Sequence, residues 1–155
     1  MDAFFIFSAK YLFLAPIALL ALYFLLRSWP EKKSIATFAL PALILTYLVA
    51  LAGGQAYFDA RPFVEAHFTP LIPHIPDNGF PSDHALLVSA VAAIGSYLNW
   101  RLGAALWVLA FIVAAARVYV GLHHPIDVLG SAAIAIISTS IVYFWLARAK
   151  HGKTA

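Results

Sequence analysis

Three separated stretches of this chain combine residue types that suit a single oxyanion. Ala60-Arg61-Pro62-Phe63 carries a guanidinium, and Pro81-Ser82-Asp83-His84 carries a hydroxyl, a carboxylate and an imidazole. Ala116 to Asp127, read as ARVYVGLHHPID, carries Arg117, His123, His124 and Asp127. Hydrolysis at a phosphoryl group needs fixed positive charge and N–H donors around its oxygens, an in-line nucleophile, and a proton for the leaving oxygen. Arg61 and Arg117 offer bidentate forks that match phosphate better than a lysine point charge. His123 and Asp127 are four residues apart across a predicted helix start, so they lie on one face. A carboxylate placed there holds the imidazole in one tautomer and stabilises its charged form. A histidine so oriented is a nucleophile able to form a covalent intermediate. His84, two residues into the next predicted helix, is the candidate general acid. The start of that helix also offers backbone N–H groups and a positive dipole end. Uncatalysed phosphate-monoester hydrolysis is slow enough that such a site must lower the barrier by about 20 kcal/mol or more.

Each residue has a plainer use. Arg117 and Asp127 would neutralise each other at a helix–helix contact, His84 and His124 would make interfacial hydrogen bonds, and Pro62, Pro81 and Pro125 would form turns. Zinc would suit His84, His123, His124 and Asp127. Two flanking arginines repel a cation and favour an anion, so the expectation is no metal and no cofactor. The chain has no cysteine, which excludes thiol catalysis, disulfides and thiolate metal sites.

The elements that must position these groups follow from composition. The chain has 155 residues, 63% of them hydrophobic and 11% charged, against about 25% charged in soluble proteins. The expectation is a single integral membrane domain over residues 1–155, an all-α polytopic bundle with about five transmembrane helices. A net charge of +3 is too small and scattered for a nucleic-acid partner. The opening run follows Met1-Asp2 and places Arg27, Lys32 and Lys33 after it, the order of a retained span rather than a cleaved leader. Periodicity and length predict helices over about 3–26, 35–54, 82–100, 102–119 and 126–147. Lys10 snorkels from the first, and Pro16 is placed to bend it. Ser28 to Ser34 reads as a polar turn, and Ser82 as an N-cap followed by Asp83 in the first turn. Pro125 suits a first helical position. The segment from Arg61 to Pro81 holds prolines at 62, 70, 73, 76 and 81, which bars a long helix. Its apolar residues suit either the membrane interface or the helix ends; His67 and His74 within it show no informative spacing.

Five spans place Arg27, Lys32, Lys33, Arg101, Arg148, Lys150 and Lys153 on one side, seven of the ten Lys and Arg residues. The positive-inside rule makes that side cytoplasmic. The N-terminus and all three polar stretches are then outside, and the C-terminus inside. Three clusters of Arg and His on one face outweigh the plainer uses taken singly.

The motifs themselves resemble those of the type 2 phosphatidic acid phosphatase superfamily, which also includes vanadium haloperoxidases. That family shows Lys-x6-Arg-Pro, Pro-Ser-Gly-His and Ser-Arg-x5-His-x3-Asp. Here they stand as Arg61-Pro62, Pro81-Ser82-Asp83-His84, and Ala116-Arg117 with His123 and Asp127. The resemblance implies His123 as nucleophile forming a phosphohistidine, Asp127 as its orienting partner and His84 as the acid. Arg61, Ser82 and Arg117 would bind phosphate without a metal. DNGFPSDHA and the RPF stretch are most similar to the bacitracin-resistance branch of undecaprenyl-diphosphatases, which recycle the polyprenyl carrier of cell-wall synthesis on the outer face of the plasma membrane. This implies hydrolysis of undecaprenyl diphosphate to undecaprenyl phosphate. The alternatives are a phosphatase for phosphatidic acid, phosphatidylglycerol phosphate or a lipid A phosphate, and a non-catalytic lipid-phosphate binder or transporter. The chain departs from the family in three places. Gly54 stands where the family has lysine, with Gln55 as a neutral donor beside it. Ala116 replaces serine, and Asp83 replaces glycine and adds negative charge near the phosphate. The chain also has one predicted helix fewer than the six usual in the family.

Overall fold

The computed structural model describes residues 1–151, with Lys150 and His151 described by backbone alone; Lys153, used above for orientation, lies outside the described residues. Seven helices follow one another: α1 (Asp2–Tyr11), α2 (Leu14–Leu25), α3 (Trp29–Ala56), α4 (Pro62–Glu65), α5 (Asp83–Leu98), α6 (Trp100–Tyr119) and α7 (Pro125–His151). Among the described residues the only β pairing is an isolated bridge between Ala60 and Asn78. The fold is all-α, and its apolar helices make this a membrane protein. By length and composition α3, α6 and α7 can each cross a bilayer, and α1 with α2 forms a fourth such unit bent by 46°.

The fifth expected span, α5, has only 16 residues. At 1.5 Å per residue it covers about 24 Å, short of the roughly 30 Å hydrocarbon core. It nevertheless runs from the cavity end of the bundle to the Arg101 end, as the central helix packed on α6, α7, α3 and α2. Its small residues Ala85, Ser89, Ala90, Ala92 and Ala93 are buried, which lets neighbouring backbones approach closely, as small residues do between membrane helices. Val88, Val91, Leu106, Ala110 and Val113 fill the α5–α6 seam. Phe38, Ala42, Ile94 and Val142 tie in α3 and α7.

Three boundaries differ from the sequence reading, each for a local reason. The first helix breaks at Leu12-Phe13 rather than running through. Pro16 has no N–H to give the Leu12 carbonyl and its ring crowds that carbonyl, so the break falls four residues upstream of it. The second helix begins at Trp29, not Ile35, because Ser28 and Glu31 form a capping box and Pro30 occupies the first turn. Glu31 accepts from both the Ser28 N–H (2.9 Å) and its hydroxyl (2.6 Å). Asn99 both closes α5, its N–H donating to the Gly95 carbonyl at 2.9 Å, and opens α6 at Trp100 rather than Leu102, its side chain accepting from the N–H groups of Arg101 and Leu102. Ser82 has extended N-cap dihedrals, yet its hydroxyl makes no cap hydrogen bond.

The segment between α4 and α5 is irregular, as its four prolines (70, 73, 76 and 81) require. Ile72 is buried with Ala9, Ala116, Val120 and Leu122, and the Leu71 N–H donates to the Val120 carbonyl at 3.1 Å. Phe68 lies so close to Gly121 that a Cβ there would come within 2.6 Å of the ring, and Gly121 has φ +80°. The loop therefore packs on the helix ends, while Ile75 stays 67% exposed.

Candidate active site

The site lies where the starts of α5 and α7, the end of α6 and the loop after α3 meet. Gln55, Arg61, Asp83, His84, Arg117 and His123 all line one cavity of about 470 Å³. Ser82 and Asp127 sit just behind this lining and are fully buried. The eight residues expected to act on or bind phosphate are thus in or against the same cavity; His124 does not line it and meets Glu65 instead, Nε2 to Oε2 at 3.2 Å.

His123 is the best-defined member. Its Nδ1 lies 2.9 Å from the Gly79 carbonyl and 3.3 Å from Asp127 Oδ2. Both partners are acceptors, so Nδ1 must carry the proton and Nε2 the lone pair. Nε2 faces Arg117 Nη2 at 3.2 Å and Arg61 Nη1 at 3.4 Å. Burial pushes the His123 pKa down, outweighing the Asp127 hydrogen bond that works upward, and the two guanidiniums push the same way. The result is a neutral imidazole whose free nitrogen points into two positive charges. Asp127 is held in turn, its Oδ2 accepting from the His124 N–H at 2.9 Å.

Gly79 makes this approach possible. A Cβ there would lie 3.0 Å from Asp127 Oδ2 and 3.2 Å from the Asp59 carbonyl. Any side chain would wedge His123 and its carboxylate apart.

The arginines are anchored from opposite sides. Arg61 Nη1 donates to the Leu122 carbonyl at 2.9 Å, and Nε donates to Asp77. Burial works upward on Asp77, but the Arg61 hydrogen bond and charge outweigh it and hold the carboxyl below its ordinary range. Arg117 is 7% exposed, yet its Nε has no partner; the Ser82 hydroxyl is equally buried and equally unmatched. Buried polar groups are paired in the great majority of cases. Arg117 Nε and the Ser82 hydroxyl are thus two donors beside the cavity with no protein acceptor among the described residues. His84 is half-buried and meets the Phe13 ring edge-on, centroids 4.8 Å apart.

Sequence reasoning missed three contributors. Asn78 donates to the carbonyls of Gly54 (2.9 Å) and Tyr57 (3.0 Å) and accepts from the N–H groups of Asp59 (2.9 Å) and Phe80 (3.0 Å). It thereby clamps the end of α3 to the entry of α5. Asp77 and His74 also line the cavity, with His74 Nδ1 3.7 Å from Asp77 Oδ1. Asp77 and Asn78 stand in the run DNGFPSDHA that carries the resemblance, but no role could be attached to them, because an Asn or Asp in a proline-rich stretch reads as a turn former. Gly54, which stands where the family has lysine, lines the same cavity as Arg61, Arg117 and His123.

Residues 35–151 match the PAP2 superfamily, and the chain belongs to it. It is 31% identical over 140 residues to a Bacillus subtilis undecaprenyl-diphosphatase, BcrC, covering 88% of this chain and 70% of that one. Among solved structures it is similar to Aquifex aeolicus LpxE, with a TM-score of 0.74 and 26% identity, over 92% of this chain and 84% of that one. A transmembrane PAP2-type phosphatidylglycerolphosphate phosphatase from Bacillus subtilis shares the fold, with a TM-score of 0.60 at 21% identity over 95% of this chain and 84% of that one.

Proposed function

We propose that this membrane phosphatase hydrolyses undecaprenyl diphosphate to undecaprenyl phosphate and inorganic phosphate through a phosphohistidine at His123. The observation that carries the reading is the tautomer-fixed Nε2 of His123 set between two guanidiniums at 3.2 and 3.4 Å. Nε2 attacks the terminal phosphorus while Arg61, Arg117 and Ser82 hold its oxygens, with Gln55 as a neutral donor at the rim. The bridging P–O bond breaks, and His84, protonated on taking up the anionic substrate, passes that proton to the departing lipid phosphate oxygen. Water then attacks the phosphohistidine with His84 as base, releasing phosphate and restoring Nε2. Asp127 and the Gly79 carbonyl hold the Nδ1 proton throughout, so imidazole orientation costs nothing at the moment of attack.

Tyr47, Ala50, Leu51 and Leu86 form an apolar side of the same cavity, and Tyr47 is 64% exposed and Leu51 49% exposed on α3. That side suits a polyprenyl tail that stays in lipid while its diphosphate reaches the arginines. The likeness to BcrC favours the polyprenyl diphosphate. The decisive experiment is a substrate panel with purified protein in detergent and EDTA, comparing undecaprenyl diphosphate, phosphatidic acid and phosphatidylglycerol phosphate. Fastest turnover on the diphosphate, abolished in His123→Ala, is expected. Preference for a monoester would reassign the substrate, and a requirement for added divalent ion would overturn the covalent histidine.

A further inference from the structure

The site contains a carboxyl that the mechanism above does not use. Asp59 stands between the end of α3 and Arg61, and its backbone is pinned on both sides. Its N–H donates to Asn78 Oδ1 at 2.9 Å, and its carbonyl accepts from the Gly79 N–H at 2.8 Å. A Cβ on Gly79 would stand 3.2 Å from the Asp59 carbonyl and 3.0 Å from Asp127 Oδ2, so the two acidic residues are neighbours across Gly79.

Two oxygens at this contact are unexplained. Asp127 spends Oδ2 on His123 and the His124 N–H, while its Oδ1 is buried with no partner. Asp59 Oδ2 is buried and unpartnered in the same way. The other titratable groups facing Asp59 are His124, from the turn before α7, and Glu65, from α4. His124 Nε2 is itself 3.2 Å from Glu65 Oε2, so the surroundings add no free cation for a second carboxylate. Two bare carboxylates in contact repel, whereas one proton between them satisfies both orphan oxygens.

We propose that Asp59 is a positioning residue that holds a proton between its Oδ2 and Asp127 Oδ1, so that Asp127 faces His123 as a carboxylate anchored through both oxygens. Burial first, and then contact with Asp127, raise the Asp59 pKa above the ordinary carboxyl value in keeping with this. The shared proton lowers the basicity of Asp127, which keeps the Nδ1 proton on His123 and its lone pair at Nε2. The catalytic consequence rests on His123 being the nucleophile; the proton itself does not.

Two readouts separate these. Infrared difference spectra of wild type against Asp59→Asn at neutral pH are expected to show the C=O stretch of a protonated carboxyl, present only in wild type. Its absence overturns the shared proton, whatever the reaction mechanism. In kinetics, Asp59→Ala leaves Asp127 Oδ1 without a donor, and kcat is expected to fall by about ten- to a hundredfold, with KM little changed. Asp59→Asn supplies an N–H to the same oxygen and is expected to rescue most of that loss. Raising pH through the Asp59 pKa strips the proton and slows wild type, so the alkaline limb of kcat should move to higher pH in Asp59→Asn, which has nothing to titrate. An Asn variant no faster than the Ala variant, or an unmoved alkaline limb, overturns the positioning role. A carboxyl band seen alongside an active His123→Ala enzyme would leave the shared proton standing and sink the nucleophile assignment alone.

Discussion

At the scale of single residues, the two histidines are distinguished by what surrounds them. His123 has both nitrogens engaged: Nδ1 on two acceptors and Nε2 on two guanidiniums. It has no freedom to turn, as a nucleophile aimed at one phosphorus requires. His84 is half-buried at the cavity wall, steadied by the Phe13 ring edge, and keeps the latitude a proton donor needs. The expected consequence is a split by leaving group. His84→Ala should slow cleavage of a poor leaving group, such as a lipid alcohol in a monoester, by about a hundredfold or more. A good leaving group such as nitrophenolate should be much less affected. Equal slowing of both, read as kcat across a leaving-group series, would remove His84 from the proton-transfer step. The pattern Arg–x5–His–x3–Asp was readable in the sequence because the His123–Asp127 pair obeys helix-start spacing. The Gly79 carbonyl on Nδ1 was not, since it comes from a loop 44 residues away.

At the scale of elements, the site is held by a joint rather than by any one helix. Asn78 binds the last turn of α3 through the Gly54 and Tyr57 carbonyls, and the Asp59 and Phe80 N–H groups beyond it. Arg61, Gly79 and Ser82 are all within a few residues of these bonds. Asn78→Ala is expected to cost on the order of 2–4 kcal/mol of stability, as several part-buried hydrogen bonds are lost together. Its larger effect should be on KM, since Arg61 is no longer set against His123. Thermal unfolding in detergent and a kcat–KM separation check this; an unchanged KM would mean that Arg61 is positioned by Asp77 and the Leu122 carbonyl alone. The helical segments were legible because long apolar runs admit little else in a bilayer. Their ends were less so. The Ser28–Glu31 capping box was written in the sequence but hidden inside what looked like a polar turn. The break at Leu12-Phe13 needed the carbonyl that Pro16 displaces, not the proline itself. α5 was read as a span because its composition is apolar, and nothing local says that it is surrounded by other helices rather than lipid. The proline loop is the least readable part, as the contacts that seat it, with α1, α6, the end of α3 and the α6–α7 turn, come from residues distant in the sequence.

At the scale of the whole molecule, the two ends of the bundle differ in charge and in chemistry. The Tyr119 hydroxyl donates to Asp2 at 2.9 Å, and the Tyr119 ring stacks on Phe5. This fixes the start of the chain at the end of α6 that carries Arg117 and leads to His123. The opposite end carries Arg27 between α2 and α3, Lys32 and Lys33 in the first turns of α3, Arg101 at the start of α6 and Arg148 near the end of α7. Arg27 lies over the Tyr23 ring at 4.1 Å and Arg101 over Trp100 at 5.3 Å. Basic and aromatic side chains grouped this way suit a cytoplasmic interface, and on that proposed orientation the arginine–histidine cavity faces outside. The chain has no cysteine, so a single engineered thiol reports without background. Ile75→Cys, on the loop above the cavity and 67% exposed in the native residue, is expected to react with a membrane-impermeant maleimide in intact cells. Lys32→Cys should react only after lysis. The reverse pattern would put the cavity in the cytoplasm, and the substrate would then have to be a lipid phosphate presented from the inner leaflet.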